Sequence, residues 1–109
     1  MKLSDNAIAI LERRYLSRDD AGELTEDPEG MFRRVAANIA SAEKDHGKTK
    51  KEIEAIEDKF YKMMTSLDFL PNSPTLMNAG KKLQQLSACF VLPVEDSMES
   101  IFETLKNAA

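Results

Sequence analysis

The amino-acid sequence predicts a mainly α-helical chain: three helices, one short strand, then a fourth helix. Two observations carry that expectation. Apolar residues recur at spacings of three and four in four stretches, each opened by a residue type that caps helices. Only Leu86–Leu92 has strand character, with Gly80 before it and Pro93 after it.

Taken in order, Ser4 is placed as an N-cap, with Leu3 and Ile8 as a hydrophobic staple across it. Ala7, Ile8, Leu11 and Tyr15 then fall on one helical face. Ser17 to Glu26 is polar and contains Gly22, which suits a loop or short hairpin. Asp27-Pro28-Glu29 starts a second helix, with a capping carboxylate, a proline whose missing N–H costs nothing there, and an acid in the first turn. Its stripe is Met31, Phe32, Val35, Ala36 and Ile39, fading at His46-Gly47. Thr49 and Glu52 form a capping box before a third helix carrying Ile53, Ile56, Phe60, Met63, Met64 and Leu67. Pro71 and Pro74 forbid its continuation and make Pro71–Gly80 a turn. Asp96-Ser97-Met98-Glu99 opens the fourth helix, with Met98, Ile101, Phe102, Leu105 and Ala108 along one face. The six methionines sit mainly on helical stripes and are expected to fill a core.

The totals exclude several classes. A chain of 109 residues has room for one small domain. Nineteen acidic against fifteen basic side chains, a formal charge of −4, argue against a nucleic-acid footprint. No apolar stretch approaches the ~20 residues that span a bilayer, and Met1-Lys2-Leu3-Ser4-Asp5 has no signal-peptide core. A single cysteine forms no internal disulfide, which suits a reducing, cytoplasmic setting. One strand cannot satisfy its own backbone groups, and a two-stranded hairpin alone is marginal. The expectation is that Leu86–Leu92 pairs with strands beyond residue 109 and that the sequence is the front end of a larger protein.

Cys89 is the first candidate for chemistry. On a strand, Ser87, Cys89 and Val91 share one face, so a hydroxyl and a thiol point the same way. The plainer alternative is a packing cysteine, since free cysteine is among the most often buried residues. Ser73 and Thr75 flank Pro74, with Asn72 and Asn78 nearby, and together offer donors suited to a phosphate or sugar. The competing reading is a self-capped turn whose side chains bond only their neighbours. His46 reads as a solvated helix-end residue, Asp5, Asp27 and Asp96 as caps or first-turn acids, and Lys48-Thr49-Lys50-Lys51 as solvated surface.

Three stretches in this order, Asn72-Ser73-Pro74-Thr75-Leu76-Met77-Asn78-Ala79-Gly80, Gln85-Leu86-Ser87-Ala88-Cys89-Phe90-Val91-Leu92-Pro93 and Asp96-Ser97-Met98-Glu99-Ser100-Ile101, resemble ribonucleotide reductase large subunits. The nearest resemblance is to the adenosylcobalamin-dependent class II enzymes. Leu3-Ser4-Asp5-Asn6-Ala7, Arg13-Arg14-Tyr15-Leu16 and Pro28-Glu29-Gly30-Met31-Phe32-Arg33-Arg34-Val35-Ala36 are similar to that class too, so the likeness covers nearly the whole chain.

The resemblance implies that residues 1–70 are an N-terminal helical region. Residues 71–109 would start a catalytic ten-stranded α/β barrel, with Leu86–Leu92 as its first strand. It implies that Cys89 is one half of a redox-active pair whose partner cysteine lies elsewhere in the protein. Ser73 would contact the substrate phosphate, and the backbone at Ala88 and Cys89 would wall the nucleotide. Many relatives carry serine at Ala88, so a hydroxyl contact there is lost. The implied reaction converts ribonucleotides to 2′-deoxyribonucleotides with a thioredoxin-type reductant and adenosylcobalamin bound mainly by residues outside this chain, and a homodimer is left open. The family's radical-bearing cysteine and catalytic glutamate and asparagine have no counterpart here, so the 109-residue piece alone is expected to be inactive. Two alternatives remain: a class I large subunit using a separate radical-generating subunit, and a non-enzymatic helical interaction module whose cysteine packs.

Overall fold

Each of the four expected helix starts carries the capping bond that its sequence calls for in the computed structural model, which describes Met1–Ala109. Ser4 accepts from the Ala7 N–H at the head of α1 (Asp5–Arg14), and Asp27 from Gly30 at the head of α2 (Pro28–Ser41). Thr49 and Glu52 close the reciprocal capping box of α3 (Lys50–Thr65). Ser97, rather than Asp96, caps the last helix, Met98–Ala108. The polar stretch after α1 folds back through a left-handed Gly22 and one isolated antiparallel bridge, Arg18 to Leu24. After α2 the chain tightens into a 3₁₀ turn, Ala42–His46, and stops at Gly47 with φ 77°, where a side chain would be strained.

Three expectations need correction. The third helix does not reach Leu67. It ends at Thr65 in a Schellman motif, with the Leu67 N–H bonding Met64 O at 3.1 Å and the Asp68 N–H bonding Met63 O at 3.2 Å. Leu67 therefore occupies the left-handed position, φ 63°, that glycine normally takes. Secondly, the two-proline segment is not simply a turn. Ser73–Asn78 is a short helix, α4, because Asn72 caps it from outside and Pro74 sits in its first turn, where a missing N–H costs nothing. The last helix is thus α5. Thirdly, no strand forms over Leu86–Leu92: the segment has no regular structure, and Val91 is 98% exposed. A strand is defined by the ladder to its neighbour, and no other segment of this chain lies beside it to form one.

The core forms around α2. Met31, Phe32, Val35 and Ala36 are buried against Leu16, Met64, Leu76 and Ala79, with Leu11, Tyr15, Phe60, Tyr61 and Leu86 packed around them. The face is rotated slightly from the sequence stripe, since Ala40 is buried and Ile39 exposed. Of the methionines only Met31 and Met64 are buried, while Met1, Met63 and Met98 are exposed. Arg33 clasps the outer side of the α2–α3 pair, its guanidinium 3.8 Å above the Tyr61 ring and bonded to Asp58 at 2.7 Å and Glu57 at 3.3 Å. Exposed as it is, that clasp contributes little.

The chain exposes 8270 Å², whereas a self-contained domain of 12.2 kDa exposes roughly 6,100 Å². Its radius of gyration is 17.8 Å against about 13 Å for a compact domain of this length. The excess comes from the C-terminal third. α5 buries no residue, and Met98, Ile101, Phe102 and Leu105 face solvent together with Phe90, Val91 and Val94.

Candidate functional site

The residues singled out in the sequence lie on α4 and the irregular segment after it. Ser73 is the first residue of α4, exposed, with its Oγ 2.9 Å from the Tyr15 hydroxyl. Of the other polar side chains in that turn, three are committed to backbone groups of this chain. Asn72 Oδ1 accepts from the Thr75 N–H at 3.0 Å, Thr75 Oγ1 donates to Leu86 O at 3.0 Å, and Asn78 Nδ2 donates to Gln85 O at 2.8 Å. The self-capping alternative therefore holds for Asn72, while Thr75 and Asn78 reach forward to the backbone of the cysteine segment. Ser73 is the member whose bond reaches across the fold, 58 residues back along the chain.

These same bonds tether the cysteine segment. Thr75 and Asn78 hold the backbone at Gln85 and Leu86, and Leu86 packs against the core. Beyond that anchor Ser87, Ala88 and Cys89 are all exposed. The Cys89 thiol is free and lies outside the core, so the packing alternative does not describe it within this chain. Ser73 and Cys89 are thus linked through α4 and Leu86, with no hydrogen bond between their side chains.

Spacing gave no sign of what holds α4 in place. Arg34 on α2 donates through Nε to Glu26 Oε2 at 3.0 Å and through Nη2 to Glu26 Oε1 at 2.8 Å. The same guanidinium reaches two carbonyls at the end of α4, Ala79 O from Nη1 at 2.6 Å and Leu76 O from Nη2 at 3.1 Å. Carbonyls at a helix end lack intrahelical partners, and here an arginine fork satisfies them. Glu26 also accepts from the Ser17 N–H at 2.9 Å, so one carboxylate joins the loop after α1 to α2. Burial alone raises the pKa of the Glu26 carboxyl, but bonds from Arg34 and Ser17 outweigh it and hold it below the usual carboxylate range. Lys81, just past α4, donates to Tyr15 O at 3.3 Å; burial, then the Arg34 charge, hold its ammonium below the ordinary lysine value. Gly80 has φ 78°, and a Cβ there would come within 2.9 Å of Arg34 Cγ, so the clasp requires glycine.

The remaining candidates lie at the surface. His46 ends the 3₁₀ turn in solvent, and residues 48–51 are exposed. No group of three or more His, Cys, Asp or Glu comes together to hold a metal ion. Nor do the residues present fit a corrin. A groove of about 420 Å³ between α2, α3 and Phe69–Thr75 is lined mainly by apolar side chains such as Ile39, Phe60 and Met63. Another, about 430 Å³, lies along α5 beneath Glu95, Glu99 and Glu103. The first offers almost no polar group to orient a ligand, and the second presents carboxylates. No helix is long and apolar enough to cross a membrane.

Comparison with known proteins gives this arrangement its family. Residues 1–84, which hold α1 to α4, match the family described as ribonucleotide reductase, all-alpha domain. The chain is 41% identical to the vitamin B12-dependent ribonucleoside-diphosphate reductase of Thermoplasma acidophilum, over all of this chain and 21% of that protein. It is 43% identical to the protein of the same description from Mycobacterium tuberculosis, over all of this chain and 16% of that one. The ribonucleoside-diphosphate reductase large chain of Schizosaccharomyces pombe is also 43% identical, over 91% of this chain and 11% of its own length. The chain thus spans about a fifth or less of these relatives. On these matches, the chain belongs to the ribonucleotide reductase large-subunit family, and its first four helices form that family's all-alpha domain.

Proposed function

We propose that this chain serves a reductase that converts ribonucleoside diphosphates to 2′-deoxyribonucleoside diphosphates for DNA precursor synthesis, in the cytoplasm. The observation that carries this reading is the 41–43% identity, over the whole chain, to proteins described as vitamin B12-dependent ribonucleoside-diphosphate reductases. Residues 1–70 are then the helical approach. Residues 71–109, the first fourteen of which the all-alpha match still covers, lead into a ten-stranded α/β barrel, in which Leu86–Leu92 gains the ladder it lacks by pairing with strands from the rest of the polypeptide. The exposed apolar side chains of Phe90, Val91 and α5 support this reading, since such a surface is normally covered.

Within that frame Cys89 supplies reducing equivalents. Replacing the ribose 2′-hydroxyl by hydrogen takes two protons and two electrons from two thiols, releases one water, and leaves a disulfide between Cys89 and a second cysteine. The second thiol lies outside this chain, which has one cysteine. A thioredoxin-type dithiol then resets the pair by exchange, which requires an accessible sulfur. Ser73 contacts the substrate phosphate, and the backbone at Ala88 and Cys89 lines the nucleotide. Adenosylcobalamin, held by residues outside this chain, would supply the radical that activates the sugar. The 109-residue chain alone is therefore inactive, and assembly of the complete enzyme as a homodimer would leave these roles unchanged.

A second reading, a large subunit served by a separate radical-generating subunit, is favoured by the fungal large chain, which is as similar as the B12-dependent proteins. Dependence of turnover on added adenosylcobalamin separates the two. In the full-length protein, Cys89→Ser should abolish sustained deoxyribonucleotide formation while leaving radical formation intact. Normal turnover by that variant with a thioredoxin-type reductant would remove Cys89 from the reaction.

A further inference from the structure

The phosphate role of Ser73 leaves open how an exposed hydroxyl on a six-residue helix is aimed. Serine hydroxyls rotate freely and hold one proton and two acceptor sites. Ser73 Oγ has one hydrogen-bond partner in this chain, the Tyr15 hydroxyl at 2.9 Å. Tyr15 is itself held at several points. Its ring packs against the core, its N–H bonds Leu11 O at 2.9 Å, and its carbonyl accepts from Lys81 Nζ at 3.3 Å. A fixed phenol therefore meets a serine that nothing else fixes.

Resting on the reading of Ser73 given above, we propose that Tyr15 is a positioning residue that orients the Ser73 hydroxyl for the substrate phosphate. The direction of the bond follows from the ligand. A diphosphate presents only acceptor oxygens, so Ser73 must donate its single proton to it. Tyr15 must then donate to Ser73 Oγ, and the two bonds form a chain, Tyr15 O–H to Ser73 Oγ and Ser73 O–H to phosphate. Each bond in such a relay polarises the next. The residue that closes α1 thereby contributes to substrate recognition, although Tyr15 itself does not touch the nucleotide.

The test uses full-length enzyme with Tyr15→Phe, Ser73→Ala and the double variant, measuring affinity for cytidine diphosphate and for cytidine. Tyr15→Phe keeps the ring in the core and removes one oxygen. It should weaken diphosphate binding by about two- to tenfold, the effect of one hydrogen bond. It should leave cytidine binding unchanged and have no further effect once Ser73 is alanine. A Tyr15→Phe enzyme with unaltered diphosphate affinity, beside a weakened Ser73→Ala, overturns the relay and leaves the phosphate role of Ser73 standing. Additive losses overturn it too, as does an equal loss for cytidine, since a general structural effect would act without Ser73 or phosphate. Unchanged affinity in Ser73→Ala removes the phosphate role, and the relay with it.

Discussion

Replacing Arg34 by methionine should release α4 from the rest of the domain. Methionine keeps much of the apolar stem but loses all four donated bonds, two to Glu26 and one each to Leu76 O and Ala79 O. The side chains of Arg34 and Glu26 are only 14% and 12% exposed. Removing one partner of a buried ion pair costs about 3–5 kcal/mol. Glu26 keeps its Ser17 N–H and can take up a proton, so the lower end applies, about 3 kcal/mol. At ~1.4 kcal/mol per tenfold, amides of α4 in the full-length protein should exchange with solvent roughly a hundredfold faster. The ratio of variant to wild-type exchange also depends on pH. Glu26 has a depressed carboxyl pKa in the fold, so its contribution is complete above the unfolded value of ~4.3 and is lost as pH falls through the folded value. Without Arg34 the carboxyl titrates at a higher pH than in the wild type, so the ratio should be largest at neutral pH and shrink as pH falls through the variant's value towards the wild-type one. A ratio under about fivefold at neutral pH, or one that grows as pH falls, would refute the clasp.

Gly80→Ala should speed exchange of the same α4 peptide. It places a side chain at φ 78° and a Cβ 2.9 Å from Arg34 Cγ, costing about 1–2 kcal/mol for the left-handed backbone alone. Combined with Arg34→Met it should be clearly less than additive, and full additivity would mean the two do not share the clasp. Leu67→Gly should stabilise the end of α3 by roughly 0.5 kcal/mol, the relief of left-handed strain less the entropy glycine adds to the unfolded chain. Slower exchange at Leu67 and Asp68 would show it, and faster exchange there would show that the half-exposed leucine side chain matters more. Met31→Ala, at a site with no exposed surface, should destabilise α2 by about 2–5 kcal/mol in thermal unfolding. A loss below about 1 kcal/mol would mean that the site collapses around the smaller side chain.

The starts of α1, α2, α3 and α5 were legible because capping is local: the donor and acceptor lie within three residues, so the signal is complete in a short window. Ser97 in place of Asp96 shows the limit of that reading, a shift by one residue between two good caps. The turn expected over Pro71–Gly80 fails because a proline that cannot continue one helix is equally at home in the first turn of the next. In the fold Pro74 lies in the first turn of a new helix, which its neighbours Leu76 and Ala79 stabilise by burial. Cys89 and Ser73 stood out by residue type and order; the family match covers Ser73 and ends at residue 84, before Cys89. Tyr15, Glu26, Arg34 and Lys81 did not, since their partners are 8 to 66 residues away.

The sequence by itself determined the helices, the lone thiol and the kinship. Local hydrogen bonds and apolar spacing are properties of neighbouring residues, and they survive in the string of letters. Only the tertiary structure decided that α4 exists, that an arginine fork closes its end, and that a tyrosine from the first helix meets Ser73. It also decided that Leu86–Leu92 is not a strand in this chain, because a strand requires backbone partners supplied by another segment.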